Sequence, residues 1–278
     1  MRISVIQMSP GSDKADNIAQ ARRLMVAAIE ADRPDLVMLP EMWSCLGGDQ
    51  ATKRAAAEPL PGPGGAALEG GAYVMLRDLA RSHGLHVHGG SIGERCGDKI
   101  ANTALVFAPD GSEIARYRKL HLFDVVTPNG EGYRESDTYV AGDSVVTARV
   151  GPLTTGLAIC YDLRFPELFT RLRREGAELI LLPAAFTAET GEAHWETLLR
   201  ARAIETQCWV AAAGTCGRHV DGHGAARQTY GHSMVVDPWG TVVGCASNGP
   251  GWVTARIDPT LTERVRAGIP VVDHRRLT

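Results

Sequence analysis

Three side chains of this protein stand where apolar, strand-like runs end, and each is of a type that does chemistry. Cys160 closes the run Leu157-Ala158-Ile159, and Pro166-Glu167 opens a helix a few residues later. Proline suits a first helical turn, and a carboxylate complements its positive end. A thiol at such a turn faces backbone N–H groups and a helix dipole, which favour thiolate, so Cys160 is a candidate nucleophile. Taken alone, a cysteine ending a strand is more often buried packing. Glu41 follows Leu36-Val37-Met38-Leu39-Pro40. That places a carboxylate at the carboxyl edge of a sheet, where α/β sites commonly lie, and suits it to proton transfer. The plainer reading is a surface turn or a helix-capping acid. Lys119 sits where the strand pattern of Arg116-Tyr117-Arg118 gives way to a long loop. An ammonium there could steady the negative charge of a tetrahedral intermediate, or be one basic residue of a solvated stretch.

The elements that must position these groups alternate in type. Residues 2–8 read as a strand, and 14–31 as a helix with Ile18, Ala21, Met25 and Ile29 on one face. With 35–39 as a buried strand, the order is β-α-β, which favours an α/β class. A helix is expected at 66–83, a strand at His86-Val87-His88, and strands at 102–108 and 112–118 joined by Pro109-Asp110-Gly111. Residues 121–144 lack periodicity, and a loop that long is often functional. Strands at 145–150 and 154–159, a helix at 166–175 and the strand Leu179-Ile180-Leu181-Leu182 follow. The helix expected at 192–206 turns Trp195, Leu198 and Leu199 to the core. Strands near 208–213, 232–237, 241–245 and 252–257 complete the sheet content, with Asp237-Pro238-Trp239-Gly240 as a hairpin turn. This mixture predicts mixed sheets covered by helices, as two packed sheets rather than one open sheet.

With 278 residues the chain is at the upper edge of what one core serves, and no linker divides it, so residues 1–278 read as a single domain. A net charge of -3 gives no reason to expect nucleic-acid or acidic-membrane partners. Arg171, Arg173 and Arg174 read as a solvated helix face. The opening run Met1 to Gln7 lacks the apolar core of a signal peptide, and no stretch approaches the roughly 18 apolar residues of a membrane span. Six scattered cysteines without a CxxC pair read as reduced thiols, and a cytoplasmic enzyme is the simplest fit. Rival chemistries find little support. His86 and His88 share a strand face, but there is no HExxH and no spaced Cys/His quartet, so no metal is expected. His121 or His232 could serve a papain-like protease, yet no such local signature surrounds Cys160. Gly62, Gly64 and Gly65 lie in a Pro-rich turn and form no GxGxxG.

Together, Leu39-Pro40-Glu41, Arg118-Lys119-Leu120-His121-Leu122 and Cys160-Tyr161-Asp162, in that order, resemble the nitrilase superfamily of carbon–nitrogen hydrolases, and the likeness runs from Gln7 to Arg276. The resemblance implies a Glu41-Lys119-Cys160 triad on a four-layer α-β-β-α sandwich with two mixed sheets. Glu135, in Tyr133-Arg134-Glu135-Ser136, matches a second glutamate that the family places beside its triad. Ala193-His194-Trp195-Glu196 and the run 199–205 resemble the branch of omega-amidases and deaminated glutathione amidases. Cys216-Gly217-Arg218-His219, the run 230–240 and the ending Ile269-Pro270 through Arg276 resemble the latter more closely, while Phe123 departs from their pattern.

The implied chemistry is hydrolysis of a non-peptide amide through a thioester at Cys160, releasing ammonia. Glu41 would move protons, and Lys119 with the Tyr161 N–H would hold the oxyanion. Glu135 would support Lys119 or position substrate and water. Arg164, four residues past Cys160, could pair with a substrate carboxylate or form a salt bridge at the helix start. No cofactor is needed. The expected partner is a small amide carrying a carboxylate, and the resemblance implies a homodimer or higher homo-oligomer. Deaminated glutathione is the leading substrate, with alpha-ketoglutaramate, N-carbamoyl compounds and nitriles as alternatives. The non-enzymatic alternative is a catalytically silent partner-binding scaffold.

Overall fold

The computed structural model of the protein describes residues 1–62, 71–126, 130, 132–220, 224 and 226–276. Strand β1 (Arg2–Gln7), helix α1 (Lys14–Asp32) and strand β2 (Leu36–Met38) form the expected β-α-β unit. Caps bound α1: Asp13 accepts from the Asp16 N–H at 3.0 Å, and Arg33 turns left-handed as its N–H bonds the Ile29 carbonyl. Helix α2 (Gln50–Ala56) has no counterpart in the sequence reading, because it buries none of its residues and shows no apolar stripe. Helix α3 (Gly71–His83) is the described part of the helix expected at 66–83. Residues 66–70, and Gly64 and Gly65 of the Pro-rich turn, lie outside the described residues.

Strands β3 (His86–Cys96), β4 (Lys99–Phe107) and β5 (Glu113–Arg118) pair antiparallel. The stretch read as a loop carries β6 (Asp124–Val126), β7 (Gly132–Arg134), a 3₁₀ turn at Glu135–Asp137 and β8 (Tyr139–Val140). Then come β9 (Thr147–Val150), β10 (Leu153–Leu157), a 3₁₀ turn at Cys160–Arg164 and α4 (Pro166–Arg174). Strand β11 (Leu179–Ala184), helix α5 (Ala188–Thr206) and strand β12 (Trp209–Gly214) follow. Helix α5 begins ahead of its apolar stripe because Thr187 caps it. The hairpin β13 (Cys216–Val220) and β14 (Ala226–Tyr230) was not expected, since its strands are polar and mostly unburied. The chain continues through β15 (Met234–Val236), β16 (Val242–Cys245), β17 (Gly251–Arg256) and helix α6 (Pro259–Gly268), also unexpected, with only Thr262 and Val265 buried.

One sheet runs β17-β1-β2-β3-β4-β5 with β8 beside β4, and the other runs β16-β15-β12-β11-β10-β9. Both are mixed. Parallel pairs β1–β2–β3 are flanked by antiparallel β17 and β4, and parallel β10–β11–β12 by antiparallel β9 and β15. Helices α1 and α3 cover the first sheet and α4 and α5 the second, while β1 meets β12, β3 meets β11 and β5 meets β9 between them. This is the α-β-β-α sandwich. Strand alternation explains the layering. Ile3 and Val5 of β1, with Leu36 and Met38 of β2, enter the core between the sheets, whereas Ile6, Val37 and Leu39 pack with Met25 and Leu76 under the helices. Each such side chain, fully buried, contributes roughly 1.5–3 kcal/mol. Among the described residues no helix is long and apolar enough to cross a membrane.

Candidate active site

Glu41 leaves the end of β2 on a loop that β3 holds from behind. The β3–β4 register slips between His88 and Ser91, and Gly90 within that bulge has φ 58°. The bulge brings backbone against backbone. The Ser91 N–H donates to the Pro40 carbonyl at 3.1 Å, the Met42 N–H to Ser91 Oγ at 3.0 Å, and Trp43 Nε1 to the Gly89 carbonyl at 2.7 Å. These bonds fix the backbone on both sides of Glu41.

Lys119 is the first residue past β5, and its N–H donates to the Asn102 carbonyl at 2.9 Å. Its Nζ donates to Glu41 Oε1 at 3.1 Å and to Glu135 Oε2 and Oε1 at 2.8 and 3.1 Å. Asn102 Nδ2 donates to the same Glu41 oxygen at 2.8 Å. Glu135 is in turn aimed by the Phe123 N–H, which donates to its Oε2 at 2.6 Å. The Lys119 side chain is only 2% exposed. Burial alone would drive such an ammonium toward neutrality, but Glu135 and then Glu41 outweigh it and hold the Lys119 pKa well above the usual lysine value.

Cys160 begins its 3₁₀ turn at φ 49°. A left-handed L-residue costs about 1–2 kcal/mol, and such strain persists where the surroundings over-determine it. Asp162 supplies that constraint. Fully buried, its Oδ2 accepts from Tyr117 OH at 2.6 Å and the Ile159 N–H at 2.8 Å, and its Oδ1 accepts from the His121 N–H at 3.1 Å and pairs with His121 Nδ1 at 2.7 Å. One carboxylate thus ties the Cys160 turn to the segment that carries Lys119. The site as a whole does not favour the thiolate that the sequence suggested. Burial and the facing Glu41 carboxylate push the Cys160 thiol well above the usual thiol range, while Lys119 and the Ala185 amide pull weakly the other way.

Glu41, Lys119, Glu135 and Cys160 converge on one cavity of about 190 Å³. Tyr161 lines it too, its ring edge-on to Phe123 and Phe165 at 5.0 and 5.2 Å. Arg164 is in the wall, its guanidinium 3.3 Å from His194 Nδ1 and 5.4 Å over the Phe186 ring. Among the described residues Arg164 forms no salt bridge at the helix start. Lys53, Arg134 and Arg227 line the cavity as well. Of the histidines weighed earlier, His121 stacks on Phe165 at 3.7 Å and His232 bonds the Tyr230 carbonyl, and neither lines the cavity. His88 is fully buried, which drives its pKa to about 3. Among the described residues no three His, Cys, Asp or Glu side chains gather as a metal site.

Sequence reasoning missed Asn102, Asp162, Arg134 and Arg227. Asn102 and Thr103 interrupt the apolar run Ile100 to Phe107, and a buried amide there needs a polar partner. Asp162 lies inside the Cys160 motif, but three of its four hydrogen bonds come from a distant segment, at Tyr117 and His121. The two arginines sit on hairpins with no apolar pattern to announce them.

The sequence model of the carbon-nitrogen hydrolases matches residues 2–267. A deaminated glutathione amidase of Bos taurus is 42% identical over 284 residues, covering 99% of this chain and 81% of its own length. The crystal structure of the C. elegans NitFhit protein superposes with a TM-score of 0.88 at 38% identity over 99% of this chain, which spans 65% of that protein. Saccharomyces cerevisiae Nit3, a member of the nitrilase superfamily, gives a TM-score of 0.86 at 31% identity and covers 100% of this chain and 97% of its own. The α-β-β-α sandwich, a family model matching nearly the whole chain and relatives aligned over 99–100% of it agree: the chain belongs to the carbon-nitrogen hydrolase family of the nitrilase superfamily and is an amidase.

Proposed function

We propose that this amidase hydrolyses deaminated glutathione by covalent catalysis at Cys160, with residues 1–278 acting as one catalytic domain. The observation that carries the reading is the buried Glu41–Lys119–Glu135 cluster facing a thiol held at a left-handed turn. A thiol that rests protonated needs a base, and Glu41 is the carboxylate that faces it. Glu41 takes the Sγ proton as sulfur attacks the amide carbonyl. The C–S bond forms while the carbonyl π pair moves to oxygen. Lys119 Nζ and the Tyr161 N–H stabilise that oxyanion, one such donor being worth about 10²–10³ in kcat. The C–N bond then breaks and Glu41 returns its proton to the leaving amine, leaving a thioester on Cys160. Water enters and attacks the thioester carbonyl as Glu41 takes its proton; the C–O bond forms, the second oxyanion collapses, the C–S bond breaks, and Glu41 returns the proton to Sγ as the acid leaves. Glu135 keeps Lys119 charged and in place throughout.

The 42% identity to an enzyme named for deaminated glutathione supports the substrate. Glutathione without its amino group holds only secondary amides, so the leaving group is the amine of cysteinylglycine. Ammonia leaves only from a primary amide such as alpha-ketoglutaramate, which shares the same acyl half and is the second reading. In this reading Arg164, in the cavity wall, pairs with the carboxylate of that shared half. Both substrates yield 2-oxoglutarate, so one coupled assay compares them. Preference for deaminated glutathione, lost in Cys160→Ala, is the expected outcome. Preference for alpha-ketoglutaramate would move the substrate to the omega-amidase type. Turnover that survives Cys160→Ala would overturn the nucleophile, and silence on both substrates with wild-type protein would turn the search to N-carbamoyl compounds and nitriles.

A further inference from the structure

The cavity holds a charge imbalance that the reaction does not use. Its acidic lining residues are Glu41 and Glu135, and both are engaged by Lys119. Among the described lining residues no further carboxylate accompanies Arg134, Arg164 and Arg227; Asp124, paired with Arg134 across β6–β7, does not line the cavity. Arg164 is held against His194 and the Phe186 ring. Arg134 and Arg227 differ: they project from two separate hairpins, β6–β7 and β13–β14, and Arg134 is exposed while the reacting groups are buried. The second hairpin is tied to the site wall, since the Tyr230 N–H donates to the Phe186 carbonyl at 3.0 Å and Thr229 bridges to Thr187 at the start of α5. The first is tied to the floor through Glu135, which directly follows Arg134. Two guanidiniums lining one cavity give it a local positive potential that favours an anion.

We propose that Arg134 and Arg227 form an outer anion subsite that takes a carboxylate on the leaving-group side of the substrate, selecting long amides with a carboxylate at each end over short ones. The assignment rests on the amide-hydrolase reading of the same cavity and deepens it. In deaminated glutathione the terminal glycine carboxylate is remote from the scissile carbonyl, and alpha-ketoglutaramate has no counterpart to it. The acyl-enzyme is common to both, so the subsite acts on formation of the thioester and not on its hydrolysis. Guanidinium–carboxylate pairs are planar, charge-assisted and often bidentate, and losing one typically weakens binding by about tenfold or more.

The test is a cycle between protein and substrate. The kcat/KM of wild type and of Arg134→Gln/Arg227→Gln is measured on deaminated glutathione, on its glycine carboxamide and on alpha-ketoglutaramate. The expected result is a fall of about tenfold or more on the first substrate, mainly in KM, no change on the other two, and loss of wild-type preference for carboxylate over carboxamide. Equal falls on all three substrates would mean a structural role and overturn the subsite, as would an unchanged carboxylate preference. Binding of suberate, a diacid with no amide to cleave, is measured by calorimetry on the same proteins. Weaker suberate binding in the double variant supports the subsite even if wild type turns over none of the amides, a result that would refute the substrate reading alone. Equal suberate affinity in the two proteins overturns the subsite.

Discussion

Replacing Gly90 with alanine is expected to disable the site without touching any reacting group. Gly90 sits at φ 58°, and a Cβ there would lie 2.6 Å from the Leu39 carbonyl oxygen and closer still to that of Pro40. Restoring an ordinary contact requires the Pro40 carbonyl to retreat by on the order of 1 Å, and Glu41 is the next residue. The left-handed backbone costs alanine about 1 kcal/mol, and overpacking against a fixed strand adds about 1–3 kcal/mol. At about 2–4 °C per kcal/mol for a chain approaching this size, Tm falls by roughly 5–15 °C. The larger effect is on rate, because a displacement of about 1 Å in a catalytic group costs on the order of 10²-fold. Steady-state release of 2-oxoglutarate gives kcat, thermal melting gives Tm, and the rate of Cys160 alkylation reports how well Glu41 still faces the thiol. Ser91→Ala is the milder companion: it removes only the acceptor of the Met42 N–H and is expected to give the same signs at smaller size. A Gly90→Ala protein with wild-type kcat, alkylation rate and Tm would refute the claim that the β3 bulge positions Glu41.

Other perturbations follow from the same geometry. Glu135→Gln keeps an oxygen for the Phe123 N–H but leaves Lys119 with Glu41 as its one carboxylate; losing a charge-assisted bond worth about 1.5–3 kcal/mol lowers kcat about 10–100-fold. An unaltered kcat for that variant would remove Glu135 from the machinery. Asp162→Asn turns an NH₂ toward donors from Tyr117, Ile159 and His121, and breaking this buried network is expected to cost about 3–5 kcal/mol, read as a lower urea midpoint together with slower alkylation of Cys160. A wild-type midpoint would argue against Asp162 as the tie between the two segments. The pH dependence of stability has a definite sign. Burial depresses His219 to about 4, so between its unfolded value near 6.5 and about 4 the unfolded chain binds the proton and the folded one does not. Its contribution is present above pH ~6.5 and is lost at up to about 1.4 kcal/mol per pH unit as pH falls through that window. His219→Gln, which keeps polar atoms facing Pro10 and Thr229, flattens that slope in urea titrations; an unchanged slope would assign the pH dependence elsewhere.

The parts legible beforehand share a cause. Strands β2 and β11 are short apolar runs buried on both faces, β1 carries Ile3, Val5 and Ile6 into the two cores, and α1 shows an apolar stripe, so local composition reflects their environment. Helices α2 and α6 and the hairpin β13–β14 bury few side chains, and without burial no hydrophobic period is imposed. The 3₁₀ turn of Glu135 was hidden in the aperiodic stretch because it is held by bonds to Phe123 and Lys119, not by a repeat.

Residue order alone determined the α/β alternation, the three motif residues at the ends of strands, and the family to which they point, since each is a property of a few neighbouring positions. Only the tertiary structure decided how those residues act on one another. Glu41, Lys119, Glu135 and Cys160 are spread along more than a hundred residues of chain, and their charges interact only because two sheets bring four loops to one buried cavity. The same holds for the state of the thiol. A strand-to-helix turn by itself argued for thiolate, but burial and the carboxylate opposite outweigh the turn and raise the Cys160 thiol well above the usual thiol range.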